Sequence, residues 1–239
     1  MESSPRTRKL VLLPGLGADA ELFFPQKDFF GADLHVCCGP RFDDIKDQAP
    51  SLDEAARRTA TLLSDAINVD EPFVLGGMSF GGSIAVQMVA LELISPSALV
   101  LISSNRTSAT ISNGFRWQRR IGSRLPIPLI RAGLGFASRL FARREKLNEA
   151  QAARLSRMAQ RANIDELLWG AAAIDRWQLG EADVNNIDIP IHQIHGVGDW
   201  VIPIHQPHVT ESISNGRHLI TWTHADCVNA FLESVLSSS

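Results

Sequence analysis

Cysteine is scarce in this 239-residue chain, with three in all: the adjacent pair Cys37 and Cys38, and Cys227. An odd count with two neighbours supplies no disulfide framework, and the composition reads as that of a cytoplasmic protein. Two adjacent cysteines in a strand point to opposite faces, which argues against a metal site there. Tyrosine is absent altogether, and no physical account of that presents itself. Long apolar runs are missing too: after the polar, basic Met1 to Lys9, the run Leu10–Leu13 ends at Pro14-Gly15, too short for the core of a signal peptide. No stretch approaches the length that crosses a bilayer, so no membrane partner is expected. Neither sign of charge dominates. With a formal net charge of −3 and no recognition motif, the chain offers nucleic acid little. There are no internal repeats, and no low-complexity segment beyond the terminal serines.

What remains is a hydrophobic fraction of 45%, ordinary for a globular protein, in a chain of 239 residues, a comfortable length for one α/β domain with an insertion. Short apolar runs alternate with helix-like segments. Strands are expected at Lys9–Leu13, Asp33–Cys38, Pro72–Leu75, Ala98–Ser103, Ile189–His195 and Arg217–Trp222. Helices are expected near Ala20–Lys27, over Ala55–Ile67 behind the Ser51-x-x-Glu54 capping box, over Ser83–Glu92, and over Asp226–Leu236. Strand–helix alternation implies a mostly parallel sheet with helices on both faces. Residues 1–103 and 181–239 form this core. From 104 to 180 no strand-like run appears, and the segment reads as an inserted helical cap. Its apolar residues, among them Phe115, Trp117, Leu134, Phe136, Phe141 and Trp169, are expected to form mostly its own core, with some facing the crevice above the sheet.

One stretch announces a chemistry. Gly77-Met78-Ser79-Phe80-Gly81 is a Gly-x-Ser-x-Gly between a buried strand and a helix, the context of a nucleophile elbow. The turn is so tight that Gly77 and Gly81 must lack side chains, and it lifts Ser79 to the carboxyl end of the sheet beside the first turn of a helix. The plainer reading is a glycine-rich chain reversal.

A serine hydroxyl needs a base, and the base a carboxylate to orient it. In a parallel sheet the partners come from loops that follow strands. The loop after His195 holds one carboxylate, Asp199, and the Thr223-His224-Ala225-Asp226 stretch after the expected last strand holds one histidine, His224. Their order with Ser79 is nucleophile, acid, base. Asp199 as a turn aspartate and His224 as a surface histidine are the alternatives. Asp226 suits the first turn of the closing helix. His192 and His195 fall on opposite strand faces, and His205 and His208 lack supporting ligands between Pro203 and Pro207, so no metal or other cofactor is expected. Cys227 reads as a small core residue.

With these pieces in place the chain resembles the α/β-hydrolase fold family along nearly its whole length. The resemblance rests on the Pro14-Gly15-Leu16-Gly17 loop after the first strand, the elbow, His195-Gly-x-x-Asp199-x-x-x-Pro203, and the late histidine. It implies an oxyanion hole from the backbone N–H groups of Leu16 and Phe80, with Pro14 where the family often carries histidine. Only eight residues precede Lys9, which implies six strands, as in the plant esterase and hydroxynitrile lyase branch. Some members place the acid after the strand that here ends at Ser103, but Ser104-Asn105-Arg106 supplies none. The resemblance further implies an acyl-bearing small-molecule substrate and cleavage of a carboxylic ester or thioester. Lyase or carbon–carbon-bond chemistry on the same triad, and a binding protein without turnover, are the alternatives. Oligomeric state is not legible.

Between 104 and 180 thirteen Arg and one Lys face five acidic residues, a formal +9; since the whole chain carries −3, the remainder carries −12. This asymmetry suits an anionic substrate or an acidic partner. The simpler expectation is a set of solvated helix faces whose arginine stems cover apolar surface.

Overall fold

The computed structural model describes residues 8–111, 127–204 and 208–238. Six strands form one wholly parallel sheet: β1 (Lys9–Leu13), β2 (Leu34–Val36), β3 (Phe73–Met78), β4 (Ala98–Ile102), β5 (Ile191–Gly196) and β6 (Glu211–Ile213). Their order is β2-β1-β3-β4-β5-β6. The chain leaves β1 toward β2, then crosses back to β3 on the other side. That reversal opens a crevice at the carboxyl ends of β1 and β3, where ligands bind in sheets of this kind.

The sheet is buried on both faces because its strands are apolar at nearly every position. Val11, Leu13, Leu75, Leu99 and Leu101 pack on one side with Leu52, Ala56 and Leu63 of α3 (Leu52–Ala66) and with α4 (Phe80–Ala90), which is buried from Gly81 to Met88. Leu10, Leu12, Val74, Val100 and Ile102 face the other side, against Phe23, Phe30 of α1 (Phe24–Phe30), and Val228, Phe231, Leu232 and Val235 of α10 (Ala225–Ser238). The period of two along each strand accounts for this division. As the capping box implies, the Ser51 side chain accepts a hydrogen bond from the Glu54 N–H at 3.2 Å. A short helix, α2 (Phe42–Ile45), precedes α3.

Between β4 and β5 the described residues form helices and loops, with no strand among them. They include α5 (Ile127–Arg144), α6 (Glu149–Arg161), α7 (Ile164–Asp175) and α8 (Glu181–Asn185). Of the apolar residues singled out in this segment, Trp169 is buried, Phe136 is 72% exposed and points away from any core, and Phe115 and Trp117 lie outside the described residues.

One strand differs from expectation. The last strand is Glu211–Ile213, not Arg217–Trp222, and α9 (Ile220–Thr223) occupies the latter stretch. Glu-Ser-Ile is short and polar because β6 is the sheet's edge, so it gives no apolar run. Leu219, Ile220, Thr221 and Trp222 are all buried, and a short continuous apolar run fits a buried helix as well as a strand. The consequence reaches the site, because the first histidine after the last strand is then His218.

Candidate active site

Ser79 sits at the corner between β3 and α4 with φ 55° and ψ −123°, a conformation that costs a non-glycine residue about 1–3 kcal/mol. It is held there from both sides: its N–H donates to Ile102 O at 3.0 Å, and its carbonyl accepts the Ser104 hydroxyl at 2.6 Å. A Cβ on Gly77 would fall inside 3.0 Å of the Gly81 and Gly82 backbone, and one on Gly81 would strike the Leu13 and Pro14 carbonyls. Both glycines are therefore required by the close approach of neighbouring chain. The Phe80 N–H, first in α4, has no intrahelical partner, and the Leu16 N–H makes no hydrogen bond among the described residues. Leu16 and Phe80 both line a cavity with Ser79.

Asp199 follows β5, with its side chain wholly buried. Its Oδ1 accepts the Val201 and Ile202 N–H groups, each at 2.9 Å. Its Oδ2 accepts Nδ1–H of His218 at 2.8 Å and lies 3.2 Å from Nε2 of His195. Burial by itself would raise the Asp199 pKa. Hydrogen bonds from His195 and His218, the charge His218 can carry and the Ile202 N–H outweigh it, and the carboxyl is held well below its usual range.

Backbone bonds zip the two loops together. Val197 N–H donates to Ile213 O at 3.0 Å, and Gly198 N–H to Gly216 O at 2.9 Å. The approach is so close that a Cβ on Gly196 would collide with the Gly216 and Arg217 carbonyls. His218 is thereby fixed beside Asp199, and His224 is not. Its Nδ1 instead pairs with Thr223 Oγ1 at 2.9 Å, between α9 and α10. Of the residues picked from the sequence, Ser79, Leu16 and Phe80 come together at the crevice, Asp199 stands behind it, and His218 replaces His224 as the histidine on Asp199. The signal for His218 was the turn dipeptide Asn215-Gly216, which closes a strand as readily as it opens one.

His195 Nε2 faces two acceptors, Asp199 Oδ2 and Ile202 O (2.9 Å), and so carries the proton, while its Nδ1 faces the Gln193 amide at 3.2 Å. That amide also donates to Ser104 O at 3.1 Å. Ser104, Gln193 and His195 thus link the Ser79 corner to the back of Asp199.

The helices after β4 close over this arrangement. Glu145, just beyond α5 and 2% exposed, accepts Trp200 Nε1–H at 2.6 Å on one oxygen and Leu219 N–H at 2.8 Å on the other. Trp200 is the neighbour of Asp199 and Leu219 the neighbour of His218. Arg144 lies 4.0 Å over the Trp200 ring, which also packs on Phe141. A cavity of about 370 Å³ lies beneath, walled by Ser79, His218 and Met78 below and by Leu134, Phe141 and Met158 above. Along α5 the wall residues are Leu134, Ala137, Ser138 and Phe141; from α6 to its C-cap they are Leu155, Met158, Ala159 and Ala162. Each set follows the i, i+3, i+4, i+7 spacing of one helix face. None of the described arginines lines the cavity. Arg161 pairs with Asp19 (2.6 Å) and Glu21 (3.0 Å), and Arg154 with Glu21 (3.3 Å).

Residues 10–230 match the model of the Alpha/beta hydrolase family. The chain belongs to that family. Solved α/β hydrolases share its fold at low identity. A thermophilic esterase from Thermogutta terrifontis is 15% identical with a TM-score of 0.74, over 97% of this chain and 90% of that one. The enol-lactonase from Burkholderia xenovorans LB400 is 15% identical with a TM-score of 0.72, over 96% and 92%. A bromoperoxidase from Bacillus anthracis is 16% identical with a TM-score of 0.65, over 98% and 93%. No match was found among the curated proteins. The α/β-hydrolase frame is what these likenesses establish; the chemistry has to be argued from the side chains. Among the described residues no group of three or more His, Cys, Asp or Glu side chains is placed to hold a metal ion, and no helix is long and apolar enough to cross a membrane.

Proposed function

We propose that this α/β hydrolase is a serine esterase working through an acyl-enzyme, with Ser79 as nucleophile, His218 as base and Asp199 as orienting acid. The observation that carries the reading is the 2.8 Å bond from His218 Nδ1 to a buried Asp199 carboxylate, with His218 and Ser79 in the wall of one cavity. Nδ1 is occupied by the carboxylate, which leaves Nε2 to take a proton.

Ser79 Oγ attacks the ester carbonyl carbon as its proton passes to His218 Nε2, and the carbonyl oxygen becomes an oxyanion held by the Leu16 and Phe80 N–H groups. On collapse the carbon–oxygen bond to the alcohol breaks, and His218 returns the proton to the leaving oxygen. Water then repeats the sequence on the acyl-enzyme. The helices from 127 to 175 supply the apolar upper wall of the cavity, as a lid over Ser79 would.

A fluorophosphonate probe on folded protein is the direct test. Labelling of Ser79 that disappears in Ser79→Ala and falls about 10³-fold or more in rate in His218→Ala is expected, with His224→Ala close to wild type. If His224→Ala is the silent variant and His218→Ala labels normally, the assignment of the base is wrong.

A further inference from the structure

Ser79 stands between two cavities, not one. Adjoining the 370 Å³ chamber is a pocket of about 70 Å³ that shares Leu16, Ser79 and Val201 with it but does not include His218. At roughly 15 Å³ for each water-sized group it holds on the order of five such groups. Its walls include Ser83, Asn105 and Thr110.

Ser83 is wholly buried, and its hydroxyl has no hydrogen-bond partner among the described residues. A serine inside a helix ordinarily bonds back to the carbonyl four residues earlier. Here that carbonyl belongs to Ser79 and is already taken by the Ser104 hydroxyl and by the Gly82 and Ser83 N–H groups. An unsatisfied buried hydroxyl is unfavourable by about 1–3 kcal/mol, so its persistence one helical turn from the nucleophile calls for a ligand. Asn105 lines the same pocket. Its Oδ1 accepts from Thr110 Oγ1 at 2.8 Å, while its amide nitrogen has no partner among the described residues.

The two pockets are not interchangeable in the proposed reaction. The group that protonates the leaving oxygen must lie within hydrogen-bond reach of it. His218 is in the wall of the large chamber only, so the alcohol leaves into that chamber and the acyl chain occupies the small pocket. We infer that the substrate is an ester of a short acyl group, about two to four carbons, that carries a hydroxyl or oxo oxygen for Ser83 and Asn105, joined to a bulky apolar alcohol. This inference rests on the serine-esterase reading and assigns its two sides.

Three neutral esters test it with the full chain: octyl propionate, its mirror isomer propyl octanoate, and octyl lactate. Octyl propionate should exceed propyl octanoate in kcat/KM by about tenfold or more, because a long acyl chain does not fit the small pocket. Octyl lactate should exceed octyl propionate by about three- to tenfold, the worth of one net hydrogen bond. In Ser83→Ala the lactate-to-propionate ratio should fall to about one, with a melting temperature at or above wild type because an unsatisfied hydroxyl is gone. Propyl octanoate cleaved as fast as octyl propionate, or a lactate preference that survives in Ser83→Ala, overturns the inference. If Ser79 takes the fluorophosphonate label but none of the three esters is favoured or cleaved, the inference alone fails. If Ser79 is unlabelled and no ester is cleaved, the esterase reading fails with it.

Discussion

Asp199 receives two backbone N–H groups and one histidine N–H, with a second histidine within reach, although its side chain has no exposure at all. Its carboxyl is therefore deprotonated in the folded chain at pH values where an unfolded aspartate, near 3.9, has taken up a proton. The sign follows. Its contribution to stability is full above about pH 4 and is lost as the pH falls toward the lower folded value. In Asp199→Asn that proton uptake is missing. The gap in unfolding free energy between wild type and Asp199→Asn should therefore narrow below about pH 4, by up to about 1.4 kcal/mol per pH unit for one proton. Denaturant titrations at a series of acid pH values read this directly, and parallel curves for the two proteins would contradict it.

Among the elements, the end of α5 reaches the loops bearing Asp199 and His218 at once, since Glu145 accepts the Trp200 indole N–H with one oxygen and the Leu219 N–H with the other. Glu145→Ala strands two buried donors at about 1–3 kcal/mol each, and the loops bearing Asp199 and His218 lose their common anchor. A lower melting temperature is expected. So is a fall in kcat that exceeds any rise in KM at a temperature where the variant is still fully folded; Glu145→Gln, which keeps one acceptor, should lie between. A kcat equal to wild type in folded Glu145→Ala would reduce Glu145 to a structural role. None of this was readable from the sequence, where Glu145 is one acidic residue in an arginine-rich helical stretch. What was readable was whatever rests on short-range rules. The elbow could be read because Gly77 and Gly81 have no alternative at that turn, and Asp199 because its loop holds a single carboxylate. His218 was not, because a three-residue edge strand carries too little apolar signal to be seen. The buried Leu219–Trp222 run then drew the expected strand, and with it the expected histidine, six residues too far.

At the scale of the molecule, formal charge is segregated, while no lysine, arginine or carboxylate lines the chamber among the described residues. The formal +9 of residues 104–180 faces a −12 remainder, and the described contacts between them are surface pairs such as Arg161 with Asp19 and Glu21. Exposed pairs of this kind contribute about 0–1 kcal/mol. Apolar packing and buried bonds, such as Trp177 Nε1 donating to Gln87 Oε1 at 2.6 Å, hold the helices to the sheet more firmly. The described arginines thus lie outside the chamber, whose upper wall presents leucine, alanine, methionine and phenylalanine. A carboxylate held against this apolar wall would lose water with no lysine or arginine beside it among the described residues, which is unfavourable. An ester whose alcohol chain ends in a carboxylate should therefore show a kcat/KM at least about tenfold below its neutral, equally long counterpart, and the deficit should persist from low to high salt. If the anionic ester is instead preferred at low ionic strength and loses its advantage as salt is added, the arginines steer substrate after all, and the lid's charge has a catalytic use that its apolar lining does not reveal.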